Sequence, residues 1–353
     1  MKNKDFIDRL EQKAYLQKEE WIALFSSYDG EDRAYAAERA RKTADRYFGK
    51  QVYIRGLIEF TSFCRNDCYY CGLRRSNEKA QRYRLLPEEI LSCCKAGYEL
   101  GFRTFVLQGG EDSYYTDERM ETIIREIKAR FPDCALTLSV GEKEEASYRR
   151  FYEAGADRYL LRHETAQEAH YNLLHPPEMS LPHRKECLRQ LKRIGFQTGC
   201  GFMVGSPGQT PETLAEDMAF IHELHPQMVG IGPFLPHKDT PFAGKEKGGY
   251  ELTLFLLSLI RLMERNVLLP ATTALGTIHP KGREEGILAG ANVVMPNLSP
   301  VSVRKKYSLY DDKICTGDEA AECIVCMKRR MQSIGYEIVS SRGDYVSIEK
   351  ERE

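Results

Sequence analysis

Three cysteines with the spacing of a metal-cluster loop lie directly after the first apolar segment of the chain. Cys64, Cys68 and Cys71 follow the pattern C-x3-C-x2-C, and Tyr70 precedes the last of them. A cluster of four irons and four sulfides normally takes four thiolates, so three thiolates leave one iron open to a ligand that is not protein. The amino and carboxylate groups of S-adenosylmethionine can chelate that iron. The spacing therefore predicts a 4Fe-4S cluster that gives one electron to this ligand and generates a 5′-deoxyadenosyl radical.

Two other interpretations of this loop are an incomplete zinc site and a chance grouping of thiols. Zinc would require a paired C-x2-C motif or a nearby histidine, and the first histidine of the chain is His163. The eleven cysteines form an odd set in a chain without a recognisable secretion signal. That count argues against a disulfide framework and favours reduced thiols or metal ligands.

Charge and hydropathy exclude several classes of partner. The 353 residues carry 51 basic and 52 acidic side chains, so no global field attracts nucleic acid or an anionic membrane surface. The charged residues of the N-terminus have helical spacing, and no apolar run is long enough to cross a bilayer. We expect a soluble, cytoplasmic protein that acts on a small molecule.

The elements that must position the cysteines alternate between strand and helix. Pro87 and Pro211 indicate helix starts, and Gly101, Gly155 and Gly195 indicate helix ends before strands. Apolar or β-branched segments begin near eight positions, namely Val52, Arg103, Ala135, Asp157, Gln197, Gln227, Leu268 and Ala291.

Eight such units over roughly 250 residues predict a complete (β/α)8 barrel of the TIM type, with its functional residues at the carboxyl ends of the strands. We expect N-terminal helices at about 4–25 and 30–47 in a segment 1–50, the barrel at 51–300, and a C-terminal segment 301–353 that caps the barrel. The competing arrangement is a doubly wound open sheet, which would carry a glycine-rich phosphate loop after the first strand. A cysteine loop stands there instead.

The cysteine loop resembles that of the radical S-adenosylmethionine (radical SAM) superfamily. Gly109, Gly110 and Glu111 at the end of the second predicted strand resemble the Gly-Gly-Glu element of that superfamily, whose backbone receives the ammonium group of the methionyl moiety. Two glycines after a strand are by themselves only typical of a turn.

Longer segments narrow the resemblance to one family. They read CxxxCxYCGLRR, LQGGED, DRYLLRHET, GFMVGSPGQT, MVGIGPFLPHKDTP, PATTALGT and NVVMPN. The chain is similar to the HydE maturases, radical SAM enzymes that help to build the di-iron site of FeFe hydrogenases. This resemblance implies a small, cysteine-containing iron carbonyl cyanide substrate, companion hydrogenase maturases, and an electron donor such as ferredoxin or flavodoxin.

The resemblance also implies which residues bind S-adenosylmethionine. Glu164 would accept hydrogen bonds from the ribose hydroxyls, and Arg162 and Arg184 would face the carboxylate end of the cofactor. Met203 would contact the adenine, although a core methionine is an equal alternative. The further cofactor positions are Tyr70, Gln108, Gly109, Gly110, Glu111 and Ser139.

The substrate pocket of the family corresponds here to polar and apolar strand positions. These positions are Arg55, Gln108, Thr137, Arg158, Met228, Thr272, Thr273, Met295, Tyr307 and Tyr310. A guanidinium inside a barrel is costly unless it meets an anion, so Arg55 and Arg158 indicate an anionic substrate. The alternative is an arginine paired with a buried acid such as Glu59.

A second cysteine group follows the predicted barrel. Cys315, Cys323 and Cys326 have the spacing C-x7-C-x2-C, which matches the accessory iron-sulfur site of many HydE members and predicts a second cluster, 2Fe-2S or 4Fe-4S. Zinc, or no metal, is the alternative. The remaining cysteines fall within helix or strand patterns, and His163 is expected to point away from the barrel interior.

Three other functions remain open from the sequence. A biotin synthase would need cysteines on several inner strands, and a methylornithine synthase, which is a mutase, would lack the second cysteine group. A non-catalytic iron-sulfur electron carrier would need neither the cofactor-binding residues nor buried arginines.

Overall fold

The computed structural model describes residues 2–317 and 320–347. The helices are α1 Asn3–Lys13, α2 Lys18–Ser27, α3 Gly30–Phe48, α4 Pro87–Glu99, α5 Asp117–Arg130, α6 Glu145–Glu153, α7 Glu168–Leu174, α8 Leu181–Ile194, α9 Pro211–Leu224, α10 Tyr250–Met263, α11 Thr273–Ile278, α12 Gly282–Leu288, α13 Val301–Arg304 and α14 Ala320–Ser333. The strands are β1 Gln51–Ile54, β2 Gly56–Thr61, β3 Thr104–Gly109, β4 Ala135–Ser139, β5 Arg158–Leu160, β6 Gln197–Cys200, β7 Met203–Val204, β8 Met228–Val229, β9 Gly232–Pro233, β10 Val293–Val294 and β11 Glu337–Val339.

A parallel sheet forms the centre of this α/β fold. Strands β2, β3, β4, β5, β6 and β8 pair in that order, each with its chain neighbour in the series. Between consecutive strands the chain returns through helices, as parallel pairing requires. All three helix ends predicted from glycine are present, because Gly101 has a φ of 91° and Gly155 and Gly195 each have a φ of 112°.

Single bridges extend the pairing beyond this sheet. Met228 pairs with Leu268, and Pro270 pairs with Val293 of β10, which in turn pairs with β1. The strand predicted at Leu268 is therefore present only as isolated bridges; Pro270 has no N–H to donate to a ladder. The other predicted strands lie within two residues of their expected starts.

The N-terminal segment contains three helices where two were expected. The predicted helix at 4–25 is interrupted at Ala14, which has the left-handed φ of 57° and closes α1. A new start follows, because the carboxylate of Glu20 accepts from the backbone N–H of Gln17 at 2.9 Å. The three helices pack on α9 and α10.

The C-terminal segment reaches both ends of the sheet. Tyr307, Tyr310 and Lys313 lie over the carboxyl ends of the strands, where a cap was expected. Strand β11, which was not predicted, pairs in parallel with β1, and the following residues reach the amino ends of the strands, where Asp344 binds Arg158 at 2.7 Å. None of the helices in the described ranges has the length and apolar character of a membrane span.

Candidate active site

The cysteine loop leaves the sheet at the end of β2 and opens onto a cavity of about 360 Å³. Cys64, Cys68 and Cys71 all line this cavity and all are partly exposed. Burial raises the pKa of the Cys68 thiol well above its usual value, and burial with the charge of Cys64 raises the pKa of Cys71 to about 12. Three thiols with raised pKa values ionise at neutral pH only against a strong cationic partner, which an iron cluster would be.

The glycine pair at the end of β3 allows the cysteine loop to approach the sheet. A Cβ atom on Gly110 would lie 2.2 Å from the carbonyl oxygen of Phe63 and 2.6 Å from Cβ of Cys64. The backbone N–H of Arg65 also donates to the carbonyl of Glu111 at 2.9 Å. The Gly-Gly-Glu element therefore holds the cysteine loop by direct backbone contact.

Glu164, predicted to bind the ribose, has an unusual backbone conformation. Its φ is 65°, in the left-handed region that is costly for a residue with a side chain. The conformation is held by the backbone N–H of Glu164, which donates to the carbonyl of Gly201 at 3.0 Å. Arg162 places a guanidinium nitrogen 3.0 Å from the Glu164 carboxylate at the cavity wall. Strain of this kind at a cavity supports a functional role for Glu164.

Arg184 and Tyr70 close the same side of the cavity. Arg184 is buried, pairs with Glu142, and donates to the carbonyl of Arg162 at 3.3 Å. The Tyr70 hydroxyl lies 3.1 Å from Nε2 of His175, whose Nδ1 lies 2.9 Å from a backbone carbonyl. Burial lowers the pKa of His175 to about 3, so the neutral ring donates through Nδ1 and accepts from Tyr70.

All predicted cofactor residues border one cavity. In addition to the three cysteines, its wall includes Tyr70, Gln108, Gly109, Gly110, Glu111, Ser139, Arg162, Glu164, Arg184 and Met203. Met203 is nearly buried in a cluster with Phe234 and Phe242. The residues present fit S-adenosylmethionine on a cluster, because three thiols border the cavity and Nε of Arg162 is buried without a hydrogen-bond partner among the described residues.

The predicted substrate residues fall into two layers. Six of them border the cavity, namely Gln108, Thr272, Thr273, Met295, Tyr307 and Tyr310. The other four do not border it: Arg55, Thr137, Arg158 and Met228. Each of these four stands two residues before a cavity residue: Thr137 and Arg158 do so within β4 and β5, whereas Arg55 directly precedes β2 and Met228 begins β8. Because side chains alternate along a strand, the four lie one layer deeper on the inner face.

The two deep arginines differ in their partners. Arg158 is fully buried and bonded to Asp344 and to the carbonyls of Arg342 and Gly343, so its guanidinium is occupied by the C-terminal segment. For Arg158 the anion is Asp344 of this chain, which corresponds to the alternative of pairing with an acid and not to an anionic substrate. Arg55 donates only to the sulfur of Met228 at 3.0 Å, and its Nε and Nη2 have no partner among the described residues. The suggested pairing of either arginine with Glu59 is absent.

A buried ion pair in the cavity was not found from the sequence. Glu59 of β2 is 1% exposed and pairs with Lys313, whose ammonium also donates to the carbonyl of Tyr307 at 3.0 Å. The Gln108 amide donates to the Tyr307 hydroxyl at 3.3 Å. An acid within the apolar segment Gly56–Thr61 was the available signal, but its lysine partner lies 254 residues further along the chain.

The second cysteine group lies outside the cavity. Cys315 accepts from Arg283 at 3.4 Å and interacts with the Cys323 thiol, and Cys326 is exposed on the same helix as Cys323. The five cysteines assigned to the core are buried, namely Cys93, Cys94, Cys134, Cys187 and Cys200. His163 is fully buried 3.3 Å from Asp217, outside the cavity wall, as expected for a structural residue.

Comparison with known proteins agrees with this geometry. The sequence model of the radical SAM superfamily matches residues 58–221. The FeFe hydrogenase maturase subunit HydE of Thermotoga maritima is 42% identical over 95% of this chain and 95% of its own length. The 3-methylornithine synthase of Methanosarcina barkeri is 30% identical over 89% of this chain and 87% of its own. The crystal structure of methylornithine synthase superimposes with a TM-score of 0.84 at 28% identity, over 95% of this chain and 97% of that one.

A parallel α/β sheet that presents three cysteines, a glycine pair and a strained glutamate at the carboxyl ends of its strands defines a radical SAM enzyme. Among such enzymes the match to HydE has the higher identity and extends over nearly the whole of both chains. The chain belongs to the HydE family of FeFe hydrogenase maturases.

Proposed function

We propose that this enzyme cleaves S-adenosylmethionine reductively and directs the radical at a small, anionic, cysteine-containing iron carbonyl cyanide species. The observation that carries the substrate class is the guanidinium of Arg55 beneath the cavity. It is buried, its only hydrogen bond among the described residues goes to a thioether, and two of its nitrogens have no partner. A buried guanidinium in this state gains from an anion or from another strong acceptor.

The surroundings of Arg55 favour an anionic group that enters from the cavity. Burial lowers the pKa of Arg55 well below its usual value, and the positive charge of Arg158 adds to this effect. The hydroxyl of Thr137, on the same inner layer, also lacks a partner among the described residues. A carboxylate or cyanide ligand reaching down from the cavity would satisfy both groups.

The residues of the cavity wall would bind different parts of the cluster and the cofactor. Cys64, Cys68 and Cys71 would hold a 4Fe-4S cluster, which when bound supplies the electron that splits S-adenosylmethionine. Glu164 and Arg162 would orient the nucleoside, and the backbone at Gly110 would receive the ammonium group. No acid-base pair of the protein is required, since orientation and exclusion of water are the contributions of the chain.

We also propose that the strands form a complete barrel around this site. Single bridges at Leu268, Pro270 and Asn297 support closure, because they link β8 through β10 to the strand pair β1 and β2. The ion pair of Glu59 with Lys313 and the ring of Tyr307 would then cover the open end and exclude water during the radical step.

The second cysteine group is proposed to hold an accessory cluster, 2Fe-2S or 4Fe-4S. The contact between Cys315 and Cys323 supports this assignment, and Cys326 stands one helical turn from Cys323. The site is separate from the cavity, so its loss should leave the cleavage of S-adenosylmethionine intact.

The proposed partners are companion maturases and an acidic electron donor, such as ferredoxin or flavodoxin, in the cytoplasm. Gly72 and Leu73, directly after Cys71, line a surface groove together with Lys79, Lys238, Lys305 and Lys306. The lysines outnumber the two aspartates of the groove, Asp239 and Asp311. A donor with an acidic face would dock here by charge and deliver its electron next to the cysteine loop.

The substrate assignment is tested with reconstituted holoenzyme under anaerobic conditions. We expect a cysteine-bound iron carbonyl cyanide complex to accelerate formation of 5′-deoxyadenosine and to be consumed, and the product to activate apo-hydrogenase with the companion maturases. Conversion of a metal-free amino acid to an isomer, with no effect of the iron complex, would instead identify a mutase.

Arg55→Met separates a binding role from a structural one. Removing a buried charge without an anionic partner should leave the free energy of unfolding unchanged or higher, while the KM for the iron complex rises at least tenfold. Arg103→Met is the matched control, because Arg103 pairs with Asp133 at the surface at 2.9 Å. An unaltered KM in Arg55→Met, or a loss of stability alone, would contradict the role given to Arg55.

A further inference from the structure

A cluster of two histidines and a glutamate lies at the C-terminal ends of two neighbouring helices. His222 is in the last turn of α9, His225 directly follows α9, and Glu264 directly follows α10. Nδ1 of His222 is 3.7 Å and Nδ1 of His225 is 3.3 Å from Oε1 of Glu264. One ligand atom from each of the three residues lies within 4.8 Å of the other two.

We propose that His222, His225 and Glu264 bind one divalent transition metal ion of the zinc class. Two imidazoles, one carboxylate and an open fourth position for water form a known zinc ligand set. Ligand bonds of about 2.0–2.1 Å in tetrahedral geometry place ligand atoms about 3.4 Å apart. The two distances to Glu264 bracket that value, so a metal requires only small side-chain rotations.

The state of the ligand atoms supports this assignment. Nδ1 of His222 and Oε1 of Glu264 are buried, and neither makes a hydrogen bond among the described residues. Unpaired buried polar atoms are rare in folded proteins, and two of them only 3.7 Å apart indicate a missing partner. The side chain of His225 is 59% exposed, which leaves a path for the ion and for the water ligand.

The position of the cluster adds a favourable field. The ends of α9 and α10 converge there, and the C-terminus of a helix carries partial negative charge from its free carbonyls. The ammonium of Lys192 neutralises part of that negative charge, because it donates to the carbonyls of Leu224 and His225, the latter at 3.0 Å. This lysine weakens the site but does not occupy the ligand atoms.

A bound metal would join the ends of two helices beside the N-terminal segment. The ring of Tyr15, in the turn between α1 and α2, lies 5.0 Å from the ring of His222. The metal would therefore fasten the ends of α9 and α10 together under the N-terminal helices. The site lies outside the cavity and its cysteines, so its expected effect is on the stability of the fold.

The test uses cluster-loaded holoenzyme, because empty cysteine sites would also take zinc. After dialysis against buffered Zn²⁺, we expect one zinc per chain beyond the clusters, a raised melting temperature, and zinc-edge X-ray absorption with nitrogen and oxygen neighbours at about 2.0 Å. His225→Ala and Glu264→Gln should each weaken binding at least tenfold and remove the shift in melting temperature.

His279→Ala is the matched control, since His279 also stands 3.7 Å from a single carboxylate, that of Glu285. It should bind zinc like the wild type. Sulfur neighbours at about 2.3 Å would place the zinc on cysteines and overturn the proposal. Equal zinc content in His225→Ala, or no retained zinc in the wild type, would overturn it as well.

Discussion

Gly110→Ala tests whether the glycine pair exists to let the cysteine loop approach the sheet. The new Cβ would stand 2.2 Å from the carbonyl oxygen of Phe63 and 2.6 Å from Cβ of Cys64. Heavy atoms in contact prefer about 3.5 Å, so the loop must move by roughly 1 Å. The nearest obstacle is backbone, and a change of side-chain rotamer cannot relieve it.

The displacement should cost much more activity than stability. Overpacking of this size destabilises a fold by about 1–3 kcal/mol, which a chain of this length tolerates. A shift of about 1 Å in groups that position a reaction can cost about 100-fold in rate. We therefore expect Gly110→Ala to fold but to form 5′-deoxyadenosine about 100-fold more slowly with dithionite as reductant.

Two other glycines provide graded controls. A Cβ on Gly109 would meet side-chain atoms and no backbone, the nearest being Cγ2 of Thr61 at 2.7 Å, so Gly109→Ala should lose less activity than Gly110→Ala, about tenfold. A Cβ on Gly244 would meet nothing within 4 Å, and Gly244→Ala should be unchanged. The assay combines iron content per chain with chromatography of 5′-deoxyadenosine. Activity of Gly110→Ala within twofold of Gly244→Ala would refute the reasoning.

Three further predictions address the cluster, the cofactor and the fold. Cys68→Ser should abolish 5′-deoxyadenosine formation while the helical circular dichroism persists; retained product would refute the cluster assignment. Glu164→Gly relieves the left-handed strain, so the free energy of unfolding should be unchanged or about 1 kcal/mol higher while the KM for S-adenosylmethionine rises at least tenfold; an unchanged KM would remove Glu164 from the site. Burial raises the pKa of Asp344, but hydrogen bonds from Arg342 and the charge of Arg158 lower it by more, so the pKa lies below its usual 3.8. Asp344→Asn should therefore lose about 2 kcal/mol of stability, fully above about pH 4 and progressively less as the pH falls through the lowered pKa, as followed by denaturation at several pH values; a deficit that does not depend on pH would contradict the ion pairs.

The cofactor side of the site could be predicted because its signals are short and local. The three cysteines lie within eight residues, and the glycine pair and Glu111 are consecutive residues at the end of β3. Arg162 and Glu164 directly follow β5, where the carboxyl end of a strand places them at the cavity. Strand ends, turns and thiol spacing are properties of short segments, and resemblance to a family adds to them without long-range information.

The substrate side depended on contacts that no local pattern encodes. Arg55 and Arg158 are alike in sequence, as single arginines in apolar strands, yet only Arg158 is neutralised by Asp344, 186 residues away. Strand β11 and the break of the first helix at Ala14 were missed for similar reasons, since one depends on pairing with β1 and the other on a single left-handed residue.

The sequence by itself therefore determined the chemistry: a three-thiolate loop, a glycine pair and a polar strand end, within a chain whose strands alternate with helices. Only the tertiary structure decided which buried charges are satisfied. Glu59 forms an ion pair with Lys313, and Arg158 forms one with Asp344. Arg55, in contrast, keeps two donors without a partner among the described residues. The physical reason is that burying a charge is favourable or costly according to what the folded chain brings beside it, and those partners come from distant segments.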